Sequence, residues 1–142
     1  MFLGRYAHSV DAKGRLAVPS RFRDGLADGV VVTRGIDPCL MIYPMAVWLP
    51  FAERVAALSV TDADARLFRR MVFADALDLE IDGQGRVLLP TELRAWAGVE
   101  REALVIGVYS AIEVWSPERW RAVDAEIARD GQAVAQRLGP VV

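Results

Sequence analysis

Among 142 residues the chain has one cysteine, Cys39, and one histidine, His8. That excludes an intrachain disulfide, and Cys/His zinc sites built within one chain. A Ser-His-Asp or Cys-His pair would have to draw on His8, close to the start, with no Gly-x-Ser-x-Gly or helix-opening cysteine to accompany it. We therefore expect no enzyme, no metal and no cofactor. Long apolar runs are also missing. The longest uncharged stretch, Pro38 to Ala52, carries three prolines and is shorter than the roughly 18 to 20 residues of a membrane span. Met1 to His8 meets a charge at Arg5 and contains no apolar core of a secretory signal. The expectation is a cytoplasmic protein with no membrane partner.

Lysine is nearly absent as well: of 17 basic residues only Lys13 is not arginine. The net charge of -2 and pI near 5.4 argue, taken alone, against a nucleic-acid binder. Distribution changes the picture. Residues 1 to 70 carry +3 and residues 71 to 142 carry -5. Within Met1 to Arg23, the cations Arg5, Lys13, Arg15, Arg21 and Arg23 face Asp11 alone. Such a stripe suits phosphates, although composition alone favours an ordinary solvated face.

What the chain does have is a repeat. Val10-Asp11-Ala12-Lys13-Gly14-Arg15-Leu16-Ala17-Val18-Pro19-Ser20-Arg21-Phe22-Arg23 aligns without a gap on Ile81-Asp82-Gly83-Gln84-Gly85-Arg86-Val87-Leu88-Leu89-Pro90-Thr91-Glu92-Leu93-Arg94, at an offset of 71 residues. Asp, Gly, Arg, Pro and the final Arg are identical. Shifted by one residue, Leu40 to Trp48 parallels Ile112 to Trp120. The chain is two copies of one unit: residues 1–58 and 76–142, joined by a helical linker at 59–75.

Each copy has a physical plan. Asp11 and Arg15 flank a three-residue loop ending in Gly14, the pattern of a turn followed by a left-handed residue that closes a β-hairpin with a bulge. Asp82, Gly85 and Arg86 repeat it. The spacing places Asp11 across from Arg15, with the carboxylate able to accept turn amides. The strands Leu16 to Val18 and Val87 to Leu89 are apolar throughout and read as buried on both faces until proline stops them. A short helix opened by Ser20 or Thr91 as N-cap follows. Strand pairs are then expected at about Val30 to Arg34 with Leu40 to Tyr43, and Ala103 to Val108 with Ala111 to Trp115.

A helix closes each copy, announced in the second by Ser116-Pro117-Glu118 and holding Pro50 as a kink in the first. An extra helix opens at the capping box Thr61-Asp62-Ala63-Asp64. The tryptophans and methionines of these helices are core or subunit-contact residues by their burial habit. The acids Asp75, Asp78, Glu80, Glu100 and Glu102 lack any ordered metal motif and read as a solvated face.

The pattern apolar-Asp-x-x-Gly-Arg-apolar-x-apolar-Pro, met twice, resembles the SpoVT/AbrB superfamily of swapped-hairpin transcription factors. Two copies in one chain, preceded by Phe-Leu-Gly-Arg-Tyr, are similar to the MraZ family of transcriptional regulators at the head of the bacterial division and cell-wall gene cluster. The resemblance covers nearly the whole chain. It implies an α+β fold in which two AbrB-like swapped-hairpin units form a pseudo-dimeric β-barrel with peripheral helices. It also implies a ring-like homo-oligomer bound to direct repeats of double-stranded DNA in the promoter of its own operon, and hence a nucleoid-associated protein.

Carried onto this chain, the DNA-contacting motif falls on Asp11, Lys13, Gly14 and Arg15, and again on Asp82, Gly85 and Arg86. With the basic stripe, the expected DNA-binding residues are Arg5, Lys13, Arg15, Arg21 and Arg86, while Asp11, Gly14, Asp82 and Gly85 shape the motif. Gln84 replaces Lys13 and Glu92 replaces Arg21 in the second copy, which weakens phosphate binding there. Arg15 could instead serve only as a salt bridge to Asp11. Two other functions remain open: a ring-forming scaffold that binds protein, favoured by the acidic second half and apolar helices, and an AbrB-like antitoxin, which would need a disordered toxin-binding tail.

Overall fold

The computed structural model describes residues 1–140. In it the turn between Val10 and Leu16 forms, but the strands leaving it part company. Strand β1 (Phe2–Ser9) runs away to pair with β7 (Glu102–Tyr109) over its full length, while β2 (Arg15–Ala17) pairs with β6 (Arg86–Leu88). The bridge Val10 to Leu16, with the turn bonds inside it, keeps the hairpin's own ends together. The second copy does the same in reverse: β5 (Leu77–Leu79) crosses to β3 (Val30–Arg34) of the first copy. Each unit thus lends a strand to the other.

The result is an α+β fold with a six-stranded antiparallel sheet of order β1-β7-β8-β4-β3-β5 and a two-stranded ribbon, β2-β6. At the sheet's middle, β4 (Leu40–Pro44) meets β8 (Ile112–Trp115) with Met41 opposite Glu113. In the ribbon Leu16 lies opposite Val87. Both are pairs of equivalent repeat positions, so the copies relate as the halves of a two-fold dimer would, with the same surface used by each.

Ribbon and sheet enclose one core, joining Leu16, Val18, Val87 and Leu89 to Val30, Val32, Leu40, Ile42, Val105, Ile112 and Val114. The ribbon is buried on one face only, contrary to its apolar sequence: Leu16 and Val87 are fully buried, Ala17 is half-buried, and Leu88 is 44% exposed. Alternation along a strand sends neighbouring side chains to opposite faces, and among the described residues none buries Leu88 on the ribbon's outer one.

After the ribbon the two copies differ. The first continues as 3-10 turns at Ser20–Phe22 and Asp24–Leu26, the second as α3 (Thr91–Ala97). Neither Ser20 nor Thr91 is the N-cap; Pro19 and Pro90 occupy it, with no side-chain cap bond. A proline's fixed φ leads into a helix and leaves the hydroxyl residue as its first member.

On the sheet's other face lie α1 (Met45–Ala56), α2 (Ala63–Phe73) and α4 (Pro117–Leu138). Pro50 lies inside α1 without ending it. Asp62, and not Thr61, caps α2, accepting from the amides of Asp64 and Ala65 at 2.9 and 3.4 Å. Ser116 caps α4 as its sequence predicts, accepting from Arg119 N at 3.1 Å. Under α4, Cys39, Ile106, Trp115 and Trp120 form a second buried cluster, where burial pushes the Cys39 thiol up and leaves it un-ionised. Among the described residues no helix is long and apolar enough to cross a membrane.

Candidate nucleic-acid interface

Each motif loop is built by its aspartate. Asp11 Oδ1 accepts from the amides of Lys13 and Arg15 at 3.0 and 2.9 Å, and its Oδ2 accepts from Arg15 Nε at 2.7 Å. Asp82 repeats the set with Gln84 N, Arg86 N and Arg86 Nε at 2.9, 2.9 and 2.8 Å. Main-chain bonds from Gly14 N to Asp11 O and from Asp11 N to Arg15 O, both 3.0 Å, close the first turn. Gly14 and Gly85 sit at φ +84° and +75°, a region where a Cβ crowds the following carbonyl. Hydrogen bonds favour the charged carboxylate. The amides of Arg15 and Arg86 are the chief reason that Asp11 and Asp82 are held below the ordinary carboxylate range.

The loops are also held by each other's copy. Val18 N donates to Gly85 O at 2.9 Å and Leu89 N to Gly14 O at 2.8 Å. Arg94, anchored by its Nε on Leu89 O at 2.9 Å, lays its guanidinium over Gly14; a Cβ there would lie 2.9 Å from its Nη2. Arg23 lies over Gly85 in the same way, with its Nε directed at Val18 O at 3.4 Å. These two arginines were not among the expected site residues. Their signal was present, since each is the invariant last residue of the aligned repeat.

On the ribbon's outer face Arg15 and Arg86 come from different copies and converge. Arg86 reaches past its own Asp82 to place Nη1 3.7 Å from Asp11 Oδ2. Exposed Lys13 stands at the tip of the first loop, where the second has Gln84. The structure therefore brings together Lys13, Arg15 and Arg86 with Asp11, Gly14, Asp82 and Gly85, framed by Arg23 and Arg94. Of the residues so gathered five are cations, Lys13, Arg15, Arg23, Arg86 and Arg94, and two are carboxylates, Asp11 and Asp82, although the chain as a whole is negative.

Two of the expected residues lie apart from that ribbon face. Arg21 is exposed on the 3-10 turn and donates to the Tyr6 hydroxyl at 2.8 Å. Arg5 belongs to another surface: β1 sets it opposite Ile106, where it pairs with Asp124 at 3.2 Å and stacks over the Trp120 ring at 5.3 Å. No group of three or more His, Cys, Asp or Glu among the described residues is placed to hold a metal ion.

A family model described as "MraZ protein, putative antitoxin-like" matches residues 1–71 and again residues 72–138. The chain is 57% identical over 142 residues to the "Transcriptional regulator MraZ" of Thermomicrobium roseum, covering 100% of both chains. It is 50% identical over 138 residues to the protein of that name from Herpetosiphon aurantiacus, covering 97% of this chain and 96% of the relative. With its namesake from Roseiflexus castenholzii it shares 44% identity over 138 residues, 97% of this chain and 96% of the other.

Proposed function

The chain belongs to the MraZ family of transcriptional regulators, and from that premise we propose that it binds direct repeats of double-stranded DNA in the promoter of its own division and cell-wall operon. The observation that carries this reading is the composite ribbon face. Arg15 and Arg86, one from each copy, stand side by side on a backbone fixed by two aspartate-held loops, with Lys13 at one tip. Fixed arginine forks suit phosphate oxygens and guanine edges. A rigid support reduces the ordering that binding must impose. Asp11 and Asp82 aim the arginines, and lysine at one tip against Gln84 at the other makes the first copy the stronger contact.

A chain of net charge -2 has few cations to spend on phosphates. The reading therefore includes several protomers of a ring-like homo-oligomer engaging repeated sites together, so that linkage supplies affinity. The test is an electrophoretic shift with DNA from upstream of the chain's own operon, against scrambled DNA at equal salt. A selective shift is expected. Equal retardation of both probes, or none, overturns the reading and favours a protein-binding scaffold.

A further inference from the structure

Two helices on the outer face of the large sheet each carry a half-buried to exposed stripe, and the stripes are opposite in charge. On α2, Arg66, Arg69, Arg70 and Phe73 follow the three-and-four spacing of a single helix face and, with Ala74 just past its end, line an open surface depression of about 390 Å³. Arg66 and Arg69 reach carbonyls at the end of the preceding segment, those of Val60 and Leu58, and Arg69 Nε is buried without an acceptor. Among the described residues Arg70 is in no ion pair, and Leu67 beside it is 64% exposed.

On α4, Val123, Glu126, Ile127, Asp130 and Val134 keep the same spacing and line a groove of about 350 Å³ whose opposite wall carries Asp37 and Glu113. Ile127 is 54% exposed and Val134 40%. Asp130 is shared with Arg129 at 3.2 Å and Glu113 accepts from Trp115 Nε1 at 2.9 Å, whereas Glu126 is in no ion pair among the described residues. The helical glycine in this stripe, Gly131, has nothing outside its own helix backbone closer than Ile127 Cγ2, 3.9 Å from where its Cβ would stand, leaving room for an incoming side chain.

We propose that the arginine stripe of α2 on one chain docks into the acidic groove of α4 on a second copy of the same chain. This rests on the homo-oligomer reading above and assigns its surfaces. Self-pairing of either stripe would bring like charges together as apolar area is buried, which penalises a symmetric contact. Stripes of equal period and opposite sign pack helix against helix with each carboxylate able to meet a guanidinium. Such a contact joins different surfaces head to tail, the kind that generates rings when the rotation closes.

The test measures the solution mass of the full chain by sedimentation or light scattering, with circular dichroism confirming that each variant is folded. Wild type is expected well above the 15.6 kDa of one chain. Arg70→Glu and Glu126→Arg should each fall to the mass of a single chain. Mixing the two variants should recover assembly, because one retains the intact groove and the other the intact stripe; Arg70→Glu with Glu126→Arg in one chain should recover it too. If both single variants keep the wild-type mass, if only one dissociates, or if neither mixing nor the double variant restores assembly, this interface is wrong while the oligomer stands. A monomeric wild type overturns the oligomer reading and this interface with it.

Discussion

Replacing Gly14 by alanine tests whether the motif loop is held by the opposite copy. Two costs are expected. At φ +84° a side chain in the left-handed region costs about 1 to 2 kcal/mol. The new methyl would also stand 2.9 Å from Arg94 Nη2 and 3.0 Å from its Cζ, so the guanidinium must swing away and weaken its 2.9 Å bond to Leu89 O, a loss of about 1 kcal/mol. Together they come to about 2 to 3 kcal/mol, which for a domain of this size lowers Tm by roughly 8 to 12 °C. Gly83→Ala supplies the control. Nothing lies within 4 Å of where its Cβ would stand, and the aligned position of the first copy is already alanine, Ala12, so alanine should stabilise by about 0.4 to 1 kcal/mol by narrowing the unfolded ensemble. Thermal melts of both variants, together with Arg94→Ala and the Gly14→Ala/Arg94→Ala double variant, separate strain from collision. The double variant should be about 1 kcal/mol more stable than additivity implies, because the methyl no longer meets the arginine. A Gly14→Ala melt within about 0.5 kcal/mol of wild type would refute the strain argument; strict additivity with Arg94→Ala would refute the clamp across copies.

Arg15→Ala should weaken DNA binding more than Arg86→Ala, with about 1 to 3 kcal/mol lost per protomer at the first site; titrations at fixed salt, with oligomer mass checked, would contradict this if the losses were equal or reversed. Because the folded state depresses the Asp11 and Asp82 carboxyls, the stability they contribute is fully present above their ordinary range near pH 3.8 and is lost as pH falls through their lowered values. Melts from pH 7 down to pH 2 should therefore show a shallower acid loss in Asp82→Asn than in wild type, and parallel curves would show that the carboxylate contributes nothing. Operator fragments with one, two and three repeats should bind with steeply rising affinity and marked salt dependence; a one-repeat fragment that binds as tightly as the full operator would end the multivalent account.

The features legible in the sequence are those whose causes lie within a few residues. The Asp-x-x-Gly-Arg turns depend on a carboxylate reaching amides two and four residues ahead and on a glycine at positive φ. The cap at Ser116 and the strands of the β3-β4 and β7-β8 pairs are equally local. The duplication was plain because both copies must satisfy the same turn. Likeness to relatives then carried the family.

What only the tertiary structure decided is where the strands leaving those turns go. A turn constrains its own ends, but Phe2 to Ser9 find their hydrogen bonds about a hundred residues away on Glu102 to Tyr109, and Leu77 to Leu79 find theirs on the first copy. Nothing local in either segment names its partner. The exchange in turn decides which face of β6 meets the core, so Leu88 stays exposed in a run that reads as buried. It brings Arg86 toward Asp11 and lays Arg23 and Arg94 over the opposite glycines, and it carries Arg5 off to Asp124 and Trp120. The residue types of the candidate site are set along the chain, whereas its membership is set by strand pairing. Pairing is a long-range choice, made by the shared core that both copies must build to bury their apolar faces.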